Sequence, residues 1–89
     1  MPHIEFTPQL RRFVDTPSMD CDAATLRAAL DAAFAAHPRL RGYILDDQGH
    51  LRVNVVVFID GHRARDRRGL TDPLRPESRV HVFQALSGG

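Results

Sequence analysis

Only one stretch of this chain can form a long helix, and that fact constrains everything else. Asp22 offers a carboxylate to the backbone N–H groups one turn in, as an N-cap residue does, and strong helix formers follow from Ala23. Leu26, Leu30, Ala33 and Phe34 recur at i, i+4, i+7 and i+8, which places them in one apolar stripe. His37 stands where a polar ring suits the helix dipole, and Pro38 forbids continuation. The spacing predicts a helix over Ala23 to Ala36, roughly 20 Å long at 1.5 Å per residue.

The remaining segments read as strands and turns. His3 to Thr7 alternates, with Ile4 and Phe6 on one side and His3, Glu5 and Thr7 on the other. Pro8 interrupts it, and the stretch to Ser18 reads as a loop or irregular edge. Met19 to Cys21 is a candidate second strand pairing back on the first. Gly42 to Leu45 and Leu51 to Ile59 flank the polar Asp46-Asp47-Gln48-Gly49 and predict a hairpin. Val53, Val55, Val57 and Ile59 share one face, while Val56 and Phe58 make the other face apolar. That pattern predicts an inner strand or one covered on both sides. Asp60-Gly61 is a second tight-turn signal, followed by a brief return strand over His62 to Arg65. Asp66 to Ser78 reads as a charged loop with a turn of irregular helix. Arg79 to Leu86 is the last strand, with Val80 and Val82 on one face and His81 and Phe83 on the other. One helix among several strands predicts an α+β fold, a mixed sheet of four to five strands with the helix across one face.

Composition removes several function classes. Eighty-nine residues make one small domain. Twelve basic residues stand against 11 acidic ones, so there is no broad basic field for nucleic acid. All 12 are arginine; without lysine the chain offers no side-chain amine for Schiff-base chemistry or isopeptide acceptance. The lone Cys21 excludes an internal disulfide and any multi-cysteine zinc site, and reads as a small buried residue rather than a redox thiol or sulfur relay. No run of 18 apolar residues predicts a membrane span, and Met1-Pro2-His3-Ile4-Glu5 lacks a signal-peptide pattern, so a cytoplasmic protein is expected. His3, His37, His50, His62 and His81 show no metal-ligand spacing and read as solvated surface residues. Arg63, Arg65, Arg67 and Arg68, interleaved with Asp66, read as a phosphate or acidic-patch binder or as a solvated face. No Ser/His/Asp or Cys/His arrangement and no glycine-rich phosphate loop is legible, so the chain does not look like a catalyst.

The informative motif is at the end, where the last strand runs into Ala85-Leu86-Ser87-Gly88-Gly89. A Gly-Gly end has no side chain beside its carboxylate and no Cβ restricting φ. It can thread a narrow channel and present that carboxylate to another protein's active site, with a reach of about 17 Å from Ala85 at roughly 3.4 Å per residue. A body over residues 1–86 with a flexible 87–89 tail is expected. The chain is expected to end there, which favours a functional over an inert tail.

The run Val80 to Gly89, with Val53 to Ile59, its Asp60-Gly61 turn and Asp72-Pro73-Leu74, resembles the MoaD/ThiS sulfur-carrier family. The resemblance implies a ubiquitin-like β-grasp fold. It further implies that an E1-like adenylyltransferase/sulfurtransferase uses ATP to adenylate the Gly89 carboxylate, and that a sulfur donor then displaces AMP to leave a thiocarboxylate. A biosynthetic enzyme for molybdopterin (the molybdenum cofactor), thiamine, cysteine or another thio-metabolite would accept the sulfur. In this scheme Gly88 keeps the approach slim, and Ala85, Leu86 and Ser87 bind in the partner's channel. Phe83, six positions before the end, contacts the activating enzyme; its plain alternative is a core residue of a sheet covered on both sides. No bound cofactor, nucleic-acid partner or membrane partner is expected. Two other readings stand beside the carrier: a ubiquitin-like modifier joined through Gly-Gly to lysines of other proteins, and a β-grasp interaction module with an inert tail.

Overall fold

A computed structural model of the chain describes residues 1–6 and 18–84, and the alternation of apolar residues decides which side of its sheet is covered. The strands are β1 (His3–Phe6), β2 (Ser18–Asp20), β3 (Val55–Ile59), β4 (His62–Arg63) and β5 (Arg79–Gln84). Helix α1 (Leu26–Ala36) precedes a 3-10 turn, Pro38–Leu40, and the single-turn α2 (Arg41–Ile44). The sheet order is β2-β1-β5-β3-β4. Central β5 runs parallel to β1 and antiparallel to β3, and the outer pairs are antiparallel. The expected α+β architecture, a mixed sheet with one main helix, is therefore present.

On the covered side, Ile4 and Phe6, Val55, Val57 and Ile59, and Val80 and Val82 are buried in one cluster with Leu26, Ala29, Leu30, Ala33 and Phe34. The predicted helical stripe is thus the buried one. Each buried Val, Leu, Ile or Phe of this cluster contributes roughly 1.5–3 kcal/mol.

The sequence places the start of α1 too early. Its N-cap is Thr25, not Asp22, and the Thr25 hydroxyl accepts from Ala28 N at 3.2 Å. Ala23 and Ala24 favour helix, but their segment is tied to a neighbouring loop instead. Leu74 N donates to Ala24 O, Leu26 N to Asp72 O and Arg27 N to Leu70 O. Tertiary hydrogen bonds override propensity here.

The first hairpin is mostly absent. Gly42 to Ile44 is helical, and only the bridge Leu45–Leu51 remains of the predicted pairing. Leu40 and Ile44, four residues apart, both turn into the core and favour helix over strand. The Asp46–Gly49 turn is real: Asp46 Oδ1 accepts from Gln48 N and His50 N, and Gly49 takes φ +80°. Val53 does not belong to the β3 face; it lies in the turn before the strand and is fully exposed.

The second hairpin forms as predicted, although β4 has two residues rather than four. Asp60 and Gly61 both adopt positive φ, 51° and 85°, as a type I′ turn requires. β3 is the inner strand expected, paired with β5 along its length and with β4 at Phe58 and Ile59. Among the described residues no core layer covers its second face, where Val56 and Phe58 are half-buried. The last strand is described through Gln84, and Thr7 with Ala85 and Leu86 lies outside the described residues.

The Asp66–Ser78 loop contains turns and no helix. Its order comes from carboxylates that collect backbone N–H groups. Asp66 accepts from Arg68, Gly69 and Thr71 N and from the Thr71 hydroxyl, while Asp72 accepts from Arg65 and Asp66 N. Buried Leu70, at φ 57°, is held in the left-handed region between these contacts.

Two outcomes follow. Leu30 is fully buried, so Leu30→Ala lowers the unfolding free energy by about 2–5 kcal/mol, read by urea denaturation. The Thr71 hydroxyl and the Gly69 N–H hold the Asp66 carboxyl down to about 2, from an ordinary 3.8. A depressed carboxylate contributes stability that is complete above its unfolded value and is lost as pH falls through the folded one. The melting temperature therefore drops progressively from about pH 4 towards pH 2, and Asp66→Asn flattens that part of the profile.

Candidate functional site

The open side of the sheet carries the residues that alternate away from the core. Register puts Glu5 beside His81, His81 beside Phe58, and Phe58 beside Arg63, one row across four strands. Phe83 lies beside Val56 in the next row. Phe83 is 42% exposed. The edge of one Phe58/Phe83 ring meets the face of the other, with centroids 5.5 Å apart at 85°, and the His81 ring stands 6.5 Å from Phe83. Phe83 is therefore not a core residue: it is exposed and lies outside the buried cluster formed by the described residues. A solvent-facing aromatic held rigid by its strand and by a second ring is the kind of group that anchors an interface.

Beside the aromatic patch is a polar cluster centred on Glu5. His3 Nε2 lies 3.2 Å from Glu5 Oε1 and His81 Nε2 lies 3.6 Å from Glu5 Oε2, while His3 Nδ1 lies 2.8 Å from Asp20 Oδ1. Sequence spacing missed this grouping, because the parallel pairing of β1 with β5 creates it. Among the described residues no three such side chains form a group that would hold a metal ion.

Gln84 is the root of the C-terminal segment. Its side-chain amide donates to Tyr43 O at 3.0 Å, tying the end of β5 to α2. A groove of about 470 Å³ adjoins it, lined by Tyr43, Arg52, Val53, Asn54 and Gln84. The sequence-predicted Ala85, Leu86, Ser87, Gly88 and Gly89 lie outside the described residues.

Two further candidates have structural roles. Cys21 is buried, its thiol donates to Pro2 O at 3.6 Å, and burial with Asp20 and Asp22 nearby pushes its pKa up. A thiol so held is a poor nucleophile. In the Arg63–Arg68 run, Arg67 Nη2 donates to Arg52 O and to Val55 O, both at 2.6 Å, so this arginine is spent on the backbone. Arg63, Arg65 and Arg68 are exposed.

No helix among the described residues is long and apolar enough to cross a membrane. Comparison with known proteins gives a family and a fold. The model of the ThiS family matches residues 4–89. No curated protein matches the sequence. Among solved structures, SAMP1 from Haloferax volcanii is 25% identical, with 99% of this chain and 98% of that one covered and a TM-score of 0.85. A chain of the Amycolatopsis orientalis BexX/CysO complex is 17% identical over the whole of both chains, with a TM-score of 0.86. Mycobacterium tuberculosis CysO is 18% identical, with 97% and 100% covered and a TM-score of 0.83. The fold is the ubiquitin-like β-grasp.

Proposed function

The chain belongs to the ThiS family, and on that ground we propose that it is a sulfur carrier, a protein co-substrate rather than an enzyme. The observation that carries this reading is the family match itself, which runs from residue 4 through Gly88-Gly89. A carboxylate is a poor electrophile. In the proposed cycle an E1-like partner lets the Gly89 carboxylate attack the α-phosphorus of ATP, and pyrophosphate leaves. Sulfide, or its equivalent on a donor, then attacks the acyl carbon of the mixed anhydride. AMP departs with one of the original carboxylate oxygens, and a thiocarboxylate remains. A biosynthetic enzyme takes up the sulfur and returns the carboxylate. ATP is thus consumed by the partner, and the chain itself binds no cofactor.

Phe83 is the proposed anchor for the activating enzyme. It is exposed, rigid and one residue from Gln84, where the tail segment begins. Ala85, Leu86 and Ser87 would lie in the partner's channel and Gly88 would keep the thread slim. That carriers of this fold work against partner proteins is supported by the BexX/CysO complex. A cytoplasmic setting suits this chemistry. The pathway, whether molybdopterin, thiamine, cysteine or another thio-metabolite, is set by the accepting enzyme. The modifier reading draws on neighbours named small archaeal modifier protein 1, from Haloferax volcanii and from Methanosarcina acetivorans.

Intact mass after incubation with the cognate activating enzyme, ATP and sulfide is the test. The wild-type chain exchanges one carboxylate oxygen for sulfur. Deleting Gly89 abolishes the exchange and leaves the melting temperature unchanged, and Gly88→Val is nearly as damaging. A Gly89 deletion that still gains sulfur overturns the carrier reading, and a C-terminus found joined to lysines of other proteins replaces it with the modifier. Phe83→Asp leaves the chain folded and weakens binding to the activating enzyme by about 2 kcal/mol or more, read by calorimetry.

A further inference from the structure

We propose that the open side of the sheet also seats a second copy of this chain, in a weak two-fold dimer that buries Phe83. The argument begins with the row Glu5, His81, Phe58 and Arg63, which runs from an acid on β1 to a base on β4. A face-to-face pair of sheets whose two-fold axis runs along the strands, between β5 and β3, lays this row antiparallel on itself. Glu5 then faces the partner's Arg63, and Arg63 faces the partner's Glu5. His81 meets the partner's Phe58, and in the next row Phe83 meets the partner's Val56. Phe83 falls on an apolar side chain, the His81 ring on an aromatic one, and opposite charges on each other. This is the self-complementarity that an isologous interface demands, with strands aligned as packed sheets prefer.

Both halves of the complementarity are present on one chain, so no unknown surface has to be supposed. The charged groups lie within reach of a partner. Arg63 is exposed, and the Glu5 carboxylate, which bridges His3 and His81, is itself 42% exposed on the same face. The area sets the strength. Four strands about 4.8 Å apart, with two rows of side chains, offer on the order of 300–400 Å² per copy, below the roughly 800 Å² per partner of a stable complex. The dimer is therefore concentration- and salt-dependent. It occupies the Phe83 surface, and so, resting on the function proposed above, dimer formation and docking to the activating enzyme exclude each other.

Sedimentation equilibrium of the full chain, from about 10 μM to about 2 mM, tests this without any activating enzyme, so its result is independent of sulfur transfer. The weight-average mass rises with concentration from 10.0 kDa towards twice that value, and added salt lowers it. Arg63→Glu and Glu5→Arg each raise the dissociation constant at least tenfold, and the double exchange restores it to within about threefold. Phe83→Asp is monomeric; should that variant fail to fold, Val56→Asp takes its place. A wild-type chain that stays at 10.0 kDa throughout, a double exchange no better than the singles, or a folded Phe83→Asp or Val56→Asp that dimerises like the wild type overturns the proposal.

Discussion

The burial of one helical stripe against one side of a sheet is the interaction on which this molecule depends. Leu26, Leu30 and Phe34 of α1 share a core with Val55, Val57, Val80 and Val82. Among the described residues a single helix is long enough to cover a sheet, and it lies on one side. On the other side Val56 and Phe58 are half-buried and Phe83 is exposed. The aromatic patch is thus what one helix over one face of a five-stranded sheet leaves outside the core. The same central strand supplies both sides: Val80 and Val82 turn inward while His81 and Phe83 turn outward. The covered and open faces are fixed to one another through alternate residues of β5.

Around this frame, aspartates do what secondary structure does elsewhere. Asp46, Asp60, Asp66 and Asp72 each gather backbone N–H groups, and together they organise most of the irregular chain between residues 45 and 80. Asp60 is the most economical. It sits in the tight turn, accepts from Arg79 N and the buried Ser78 hydroxyl, and so locks the start of β5 to the end of β3. The Arg79 N–H and the Ser78 hydroxyl hold its carboxyl below the ordinary carboxylate range. The loop is consequently as well anchored as the strands it joins.

What was legible in the sequence follows from how local each signal is. The α1 stripe, the alternation of β1 and β5 and the Asp60-Gly61 turn are short-range patterns, and the structure shows all three. The misreadings at Ala23, Gly42 and Val53 arise where partners distant in sequence decide. Ala24 is claimed by Leu74, Ile44 by the core, and Val53 by the turn that precedes β3. Phe83 was recognisable as an outward residue from alternation alone. Whether that side was open was not, because periodicity cannot count layers. The Glu5 cluster with His3 and His81 was invisible for a related reason: residues 5 and 81 become neighbours only through parallel pairing.

Arg67 carries a consequence of a different kind. β4 covers only the end of β3, so the Val55 carbonyl sits on an edge that the sheet itself leaves unpaired. Unpaired edges are templates for further strands, and hence for aggregation. Here a single guanidinium occupies that carbonyl and the one at Arg52, where the two-residue β4 does not reach. A side chain thus does for this stretch of edge what a longer neighbouring strand would do, and an arginine from the charged loop becomes part of the sheet's own hydrogen bonding.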